Sequence, residues 1–246
     1  MSLMIFDSHV HVGAWVTPDF GGHSTTLVET AGTLLAAGIG GALVMPSDSG
    51  DNDALLAELD AWSGPVRFVA AAWAMPDQAG FASLLAPGRF RAVKIHPSFC
   101  RRPVTDPCWR PAIQAARDMK LPVVVHCGRW QEMAGWGLLM EVAAMWPGVD
   151  FVMAHMGGDS PALVTAASNA IADSGFRNVY MGTESIREYW LISRAVRTVG
   201  ADRILFGSDH NLNAPASFLA VIDAAGLSCG EREAVLGDNA RRLFGV

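Results

Sequence analysis

Charge is scarce in this 246-residue chain: Asp, Glu, Lys and Arg make up 17% of it, against 51% apolar residues. Disorder belongs to chains with too little apolar surface to bury, and this composition is far from that limit. The charges sum to a formal −6, from 24 acidic and 18 basic residues. That balance excludes the basic face with which a nucleic-acid binder neutralises phosphates. Cysteine is sparse as well. Cys100, Cys108, Cys127 and Cys229 form no CxxC pair and no dense framework, which fits reduced thiols in a cytoplasmic protein rather than a disulfide scaffold. Long unbroken apolar runs are missing. The stretch from Thr30 to Ser47 is interrupted by Gly32, Gly38, Gly40, Gly41 and Pro46, so it reads as a helix end and a short buried strand, and no membrane span is expected. The first residues lack a basic segment followed by an apolar one, so no signal peptide is expected. No Gly-x-Ser-x-Gly turn follows any predicted strand, which argues against a serine triad.

What is present is an alternation of short apolar runs with longer amphipathic ones. Strands are predicted to end near His11, Pro46, Ala74, His96, His126, His155, Thr183 and Asp209, at the spacing of about thirty residues that a βα unit requires. The runs Gly41–Met45, Val66–Ala72, Pro122–Val125 and Ile204–Gly207 are continuously apolar, as strands buried on both faces are. Between them, Thr26-x-x-Glu29 is a capping box with Leu27, Ala31, Leu34 and Leu35 at helical spacing behind it. Further helices are predicted over 51–61, 77–86, 107–119, 134–146, 160–174, 187–199, 215–225 and 231–244. Eight such units close into a single-domain (β/α)8 barrel spanning 1–246. A doubly wound sheet would need a Gly-rich phosphate loop after the first strand, and Asp7-Ser-His-Val-His11 stands there instead.

Five of the seven histidines fall at predicted strand ends: His9, His11, His96, His126 and His155, joined by Asp209 on the last strand. In a barrel those ends meet at one rim. Side chains alternate along a strand, so His9 and His11 point to the same side and two such imidazoles can grip one metal ion. By the same count Asp7 lies on that side one step deeper, where it would support a ligand, and Lys94 shares a face with His96. Buried imidazoles and carboxylates without partners would each cost about 1–3 kcal/mol, and a shared cation satisfies them together. Cys127 falls on the opposite face from His126, which speaks against a cysteine nucleophile. His210, beside Asp209, points away and is expected to serve packing.

The motifs Asp7-Ser-His-Val-His11, Val93-Lys-Ile-His-Pro97, Val125-His-Cys-Gly128, Ala154-His-Met-Gly157 and Leu205-Phe-Gly-Ser-Asp209, with the closing Asp238–Gly245 segment, resemble the successive strand motifs of the amidohydrolase superfamily. The branch they look most like is the amidohydrolase-related one that includes enzymes of the aminocarboxymuconate-semialdehyde decarboxylase type. The resemblance implies that His9, His11, His126 and Asp209 are metal ligands and that His155 is a catalytic histidine beside the metal. Three imidazoles and a carboxylate suit one divalent ion, zinc first, with manganese, iron or cobalt able to use the same set. Such a cation lowers the pKa of a bound water to about 7. Asp209 would then take up the water's proton, and His155 would polarise a substrate carbonyl. In two-metal members of the superfamily a lysine on this strand is carbamylated and bridges the ions, a role that stays open for Lys94; in the one-metal branch resembled here Lys94 would instead be a charge that orders the site, binds substrate or pairs with Asp7.

Loops after the strands select the substrate. His96, Lys94, Arg101, Arg129 and Glu184 are the expected substrate contacts, and the arginines suit a carboxylate through bidentate pairing. The expected activity is hydrolysis of a C–N or C–O bond in a small, carboxylate-bearing molecule. Non-oxidative decarboxylation of an unsaturated or aromatic acid uses the same residues and stays open, as does a non-catalytic barrel that binds a metabolite. The expected partner is a small molecule, with homo-oligomerisation left open.

Overall fold

A computed structural model describes residues 4–128 and 130–246. Its sheet contains β1 (Phe6–Ala14), β2 (Ser24–Thr25), β3 (Gly41–Pro46), β4 (Arg67–Trp73), β5 (Phe90–Ile95), β6 (Val123–Val125), β7 (Phe151–Met153), β8 (Val179–Gly182) and β9 (Ile204–Leu205). From β1 to β3 and on to β9 each strand pairs in parallel with the next. The last strand returns to the first: Ser8 N donates to Phe206 O at 2.8 Å, Asp209 N donates to His9 O at 3.0 Å, and Val10 bridges to His210. The chain is therefore the expected (β/α)8 barrel. The strand beyond eight, β2, pairs antiparallel with the end of β1 (Gly13 with Thr25, Ala14 with Ser24), so the first loop folds back as a hairpin above the rim.

The strands are apolar on both faces because both faces are covered. Ala42, Val44, Ala70, Ala72, Val93 and Ile95 belong to the layer against the helices. Their alternates Leu43, Met45, Ala71, Ala92, Val124, Val152 and Leu205 fill the barrel interior with Phe6, Ala240 and Phe244. The Phe6 and Phe244 rings, 6.3 Å between centroids, plug the lower end. Above this apolar layer the interior becomes polar, with Lys94, His9, His11 and Glu184 all buried.

The Thr26 capping box forms as predicted at the start of helix Leu27–Ala36. Two predicted helices form with a local irregularity. The 134–146 helix is Trp136–Met145, set off from the preceding turn Gln131–Ala134 at Gly135, where a side-chain carbon would lie 2.3 Å from the Gln131 carbonyl. The closing segment runs as Cys229–Glu233, a π turn Ala234–Asp238 and Asn239–Phe244. Gly237 lets that turn approach the start of β1, its missing carbon 2.6 Å from Met4 O. Among the described residues no helix is long and apolar enough to cross a membrane. All four cysteines are free, and Cys127 is buried in the helix-facing layer, where burial pushes its thiol up to about 12.

Far from the rim, the Asn178 amide at the entrance of β8 donates to Ala143 O, Trp146 O and Val149 O at 3.2, 3.3 and 2.9 Å. Replacing it with alanine strands these carbonyls, and the expected loss is about 1–3 kcal/mol. Urea unfolding should show a lower midpoint with an unchanged slope, while metal content stays that of the wild type. An unchanged midpoint would mean that water takes over the carbonyls.

Candidate metal centre

Two kinds of backbone bring side chains to the rim. The strand pleat delivers His9 and His11, while left-handed turns beyond the strand ends deliver others. His155 (φ 56), Ser185 (φ 61) and Asp209 (φ 60) all take this conformation, which costs a non-glycine residue about 1–2 kcal/mol. Asp209 lies past the short β9, and its turn directs the carboxylate back over β1.

The result is a compact cluster. Asp209 Oδ1 lies 3.8 Å from His9 Nε2 and 3.5 Å from His11 Nε2. Ligand atoms of these three residues all fall within 4.8 Å of one another. Ser185 Oγ donates to Asp209 Oδ2 at 3.2 Å. His11 Nδ1 is 3.0 Å from Pro46 O. A carbonyl only accepts, so the proton sits on Nδ1 and the Nε2 lone pair faces Asp209. His9 Nε2 is 3.2 Å from Lys94 Nζ, and its Nδ1 is 3.2 Å from Glu184 Oε1. An ammonium only donates, so His9 takes the same tautomer. Two imidazole lone pairs and a carboxylate oxygen thus converge, with Pro46 O behind the His11 ring and Glu184 Oε1 behind that of His9, a donor set that fits a divalent cation. Lys94 already puts a positive group on one of those lone pairs.

His126 stands outside this cluster. Its Nδ1 is 3.1 Å from His155 Nε2, and His155 Nδ1 is 3.2 Å from Glu184 O. The proton positions propagate along this line. The Glu184 carbonyl accepts from His155 Nδ1, and in the tautomer that carries its proton there His155 accepts at Nε2 from His126 Nδ1, which leaves His126 Nε2 open. His96 caps the short helix Pro97–Cys100, accepting from Phe99 N at 3.2 Å. Its ring stacks on His126 at 3.9 Å and 14° and on Trp73 at 5.7 Å. Trp15 lies against His11 at 4.9 Å and Phe20 at 4.6 Å, and Phe99 against His96 at 4.0 Å. Together they make an aromatic wall.

Three expectations need correction. Asp7 is off the face that His9 and His11 share, because the β1–β3 register shifts between Asp7 and Val10 and interrupts the pleat. Asp7 Oδ1 instead accepts from His9 N at 3.2 Å and Ser208 N at 3.0 Å, propping the backbone on both sides of the closure. Lys94 pairs with His9 rather than Asp7, and at 0% exposed it lies beneath the layer where substrate was expected to meet it. Glu184, also 0% exposed, is no loop contact: its Oε2 accepts from His155 N at 2.9 Å, and a substrate at the mouth is screened from it by the histidines. Arg101 sits exposed at the end of the short helix after His96, apart from the cluster. Arg129 lies outside the described residues. Sequence reasoning missed Ser185, for which the polar Thr183-Glu184-Ser185 run was the available signal. It also missed Asn211, which accepts from Trp15 Nε1 at 2.7 Å and donates to Thr25 Oγ1 at 2.7 Å, tying the hairpin loop to the loop after Asp209.

Burial governs the electrostatics. Desolvation drives His9, His96 and His126 well below the usual imidazole range, with Lys94 and neighbouring histidines adding to it, and lowers His11 to about 4. All four are neutral at pH 7, as metal binding requires. Burial alone would raise the Asp209 carboxyl, but its electrostatic interactions with His155, His9, His11 and Lys94 outweigh it and hold it below the ordinary value. Burial pushes Lys94 down to about 8 and Asp7 up to about 7.

A family model described as "Amidohydrolase" matches residues 27–246. No curated protein matches the chain in sequence. Among solved structures, the barrel is similar to a candidate 2-pyrone-4,6-dicarboxylic acid hydrolase from Pseudomonas putida, with 21% identity and a TM-score of 0.78 over 100% of this chain and 98% of that one. It is similar to 2,6-dihydroxybenzoate decarboxylase from Rhizobium, at 15% identity and a TM-score of 0.80 over 99% of each chain. A third similar structure is 5-carboxyvanillate decarboxylase from Novosphingobium aromaticivorans, complexed with manganese and 4-hydroxy-3-methoxy-5-nitrobenzoic acid. It shares 14% identity and a TM-score of 0.78 over 100% of this chain and 97% of that one.

The depressed histidines set a pH dependence. Between pH 6.5 and 4 the unfolded chain binds protons that folded His11 refuses, so the stability it contributes above 6.5 is lost on acidification. At about 1.4 kcal/mol per unit this is roughly 3 kcal/mol for His11 alone, with His9, His96 and His126 acting in the same direction. Asp7, raised to about 7, opposes them by gaining its proton in the folded state first. In chelator, the urea midpoint is expected to fall steadily from pH 7 to 4.5, and more steeply in Asp7→Asn. A flat profile would contradict the buried, neutral histidines.

Proposed function

Given that this chain belongs to the amidohydrolase family, we propose that it is a metal-dependent hydrolase that adds water across a C–O or C–N bond of a small acid bearing a planar ring. The observation that carries this reading is the convergence of His9 Nε2, His11 Nε2 and Asp209 Oδ1, with His11 Nδ1 bonded to Pro46 O and His9 Nδ1 3.2 Å from Glu184 Oε1. His126 is the fourth donor, its Nε2 left open by the proton it directs at His155. One divalent cation, zinc before manganese, iron or cobalt, supplies Lewis acidity and acidifies water near neutral pH.

The chain's own groups do the rest. Asp209 stays ionised and takes the proton of the attacking water, while Ser185 holds its other oxygen in place. Asp209 passes that proton to His155 Nε2, which releases its contact with His126 and delivers the same proton to the leaving group, while the Glu184 carbonyl holds the ring at Nδ1. Trp15, Trp73, Phe99 and the stacked His96–His126 pair offer a flat wall for a planar ring. Arg101 is retained as the group that holds the substrate carboxylate from the loop.

That wall also favours a second reading, decarboxylation of an aromatic acid, the activity named for two of the similar structures. A panel of lactones, amides and unsaturated or aromatic acids, turned over in 18O-labelled water with zinc or manganese, separates the two. One labelled oxygen in the product acid without carbon dioxide supports hydrolysis, carbon dioxide release supports the second reading, and tight binding without turnover would point to a metabolite-binding barrel. Elemental analysis should give close to one metal per chain; close to two would favour a Lys94 bridge. His155→Ala is expected to keep the metal and lose about 10²–10⁴-fold in kcat. His126→Ala is expected to lose metal affinity by about tenfold or more; full retention would leave His126 only as the partner of His155.

A further inference from the structure

We propose that Glu184 is a positioning residue that sets the tautomer of His9 and holds the His155 backbone, and that Gly182 and Gly207 are glycines because this buried carboxylate needs their space. The proposal rests on the metal-centre reading above and adds to it a residue that touches neither cation nor substrate.

The two carboxylate oxygens go to two different strands' histidines. Oε1 lies 3.2 Å from His9 Nδ1, and Oε2 accepts from His155 N at 2.9 Å. Oε1 and His9 Nδ1 are both buried and neither has a hydrogen-bond partner elsewhere. They face each other off the line of an ideal bond, and a small turn of the imidazole completes it. The direction of that bond is fixed independently: Lys94 Nζ donates to His9 Nε2 at 3.2 Å, so the His9 proton is on Nδ1 and Glu184 accepts it. Metal-ligating histidines generally owe their orientation and basicity to such a partner behind the ring.

Space for the carboxylate comes from glycine on both sides. A side-chain carbon on Gly182 would lie 2.3 Å from Oε1 and 2.4 Å from Oε2, and one on Gly207 would lie 2.5 Å from Oε1 and 2.7 Å from Cγ. Neither glycine has a left-handed φ, so room, not backbone conformation, is what requires it. Gly182 ends β8 and Gly207 follows β9, which makes a notch between two strands that Glu184 fills.

The test uses histidine-15N-labelled, metal-free protein in chelator, with long-range 1H–15N spectra reporting which nitrogen of His9 is protonated, and separate titration with zinc ion alone. The wild type is expected to show His9 protonated at Nδ1. A glutamine can satisfy only one of the two N–H donors that Glu184 faces. Glu184→Gln is therefore expected to raise the population of the Nε2-protonated form and to weaken zinc binding by about 10–100-fold. Glu184→Asp should recover part of both, and Gly207→Ala, which keeps the carboxylate but displaces it, should reproduce the loss. Should Glu184→Gln not fold by far-UV circular dichroism, Glu184→Asp carries the same two readouts. Unaltered His9 tautomer and zinc affinity in the folded variant overturn the proposal. A tautomer shift in a protein whose wild type binds no divalent ion supports the positioning role and refutes the metal reading instead.

Discussion

Three backbone hydrogen bonds, Ser8 to Phe206, Asp209 to His9 and His11 to His210, join the last strand to the first, and the site depends on that closure. They bring residues some two hundred positions apart into one cluster, against the loop-closure entropy that such separation entails. Little regular structure supports the joint, since β9 is only two residues long. Asp7 compensates from below by accepting amides on both sides, His9 and Ser208. Its second oxygen, Oδ2, is buried without a partner. Holding the two strand ends in register therefore takes a carboxyl whose burial raises its pKa to about 7.

Above that joint the polar interior is ordered by the direction of its hydrogen bonds. Backbone carbonyls of Pro46 and Glu184 fix the protons of His11 and His155, Lys94 in front of the ring and Glu184 behind it direct that of His9, and His155 directs that of His126. Burial keeps His9, His11 and His126 neutral, and the run of donors and acceptors favours one tautomer for each. Preorganisation of this kind is what a site needs if its groups are to meet developing charge without rearranging.

The strands were legible because barrel strands are covered on both sides and must be apolar throughout, as in Gly41–Pro46. The His9–His11 pair was legible because an intact pleat connects residues two apart. Where the pleat stops, the legibility stops. Asp7 was misread because a register shift is not encoded in alternation. His155 and Asp209 were found as rim residues, but their aim comes from left-handed turns past the strand ends. Glu184 stood out as polar at a strand end, yet its depth is set by the absence of side chains at Gly182 and Gly207, a relation between neighbouring strands that no single segment displays. The helix boundary at Gly135 and the π turn at Gly237 were missed for a similar reason, since the carbonyls that crowd those glycines belong to other turns of chain.

The cluster straddles the joint between the last strand and the first, with His9 and His11 on one side and Asp209 on the other. On the function proposed above, a cation gripped there would act as a rivet, and loading and mechanical integrity would become one equilibrium. At a hundred times its dissociation constant it would add about 2.7 kcal/mol to the folded state. Withdrawing that ion would remove this contribution at the joint, so on the same reading the supply of metal would bear on how readily this chain is proteolysed.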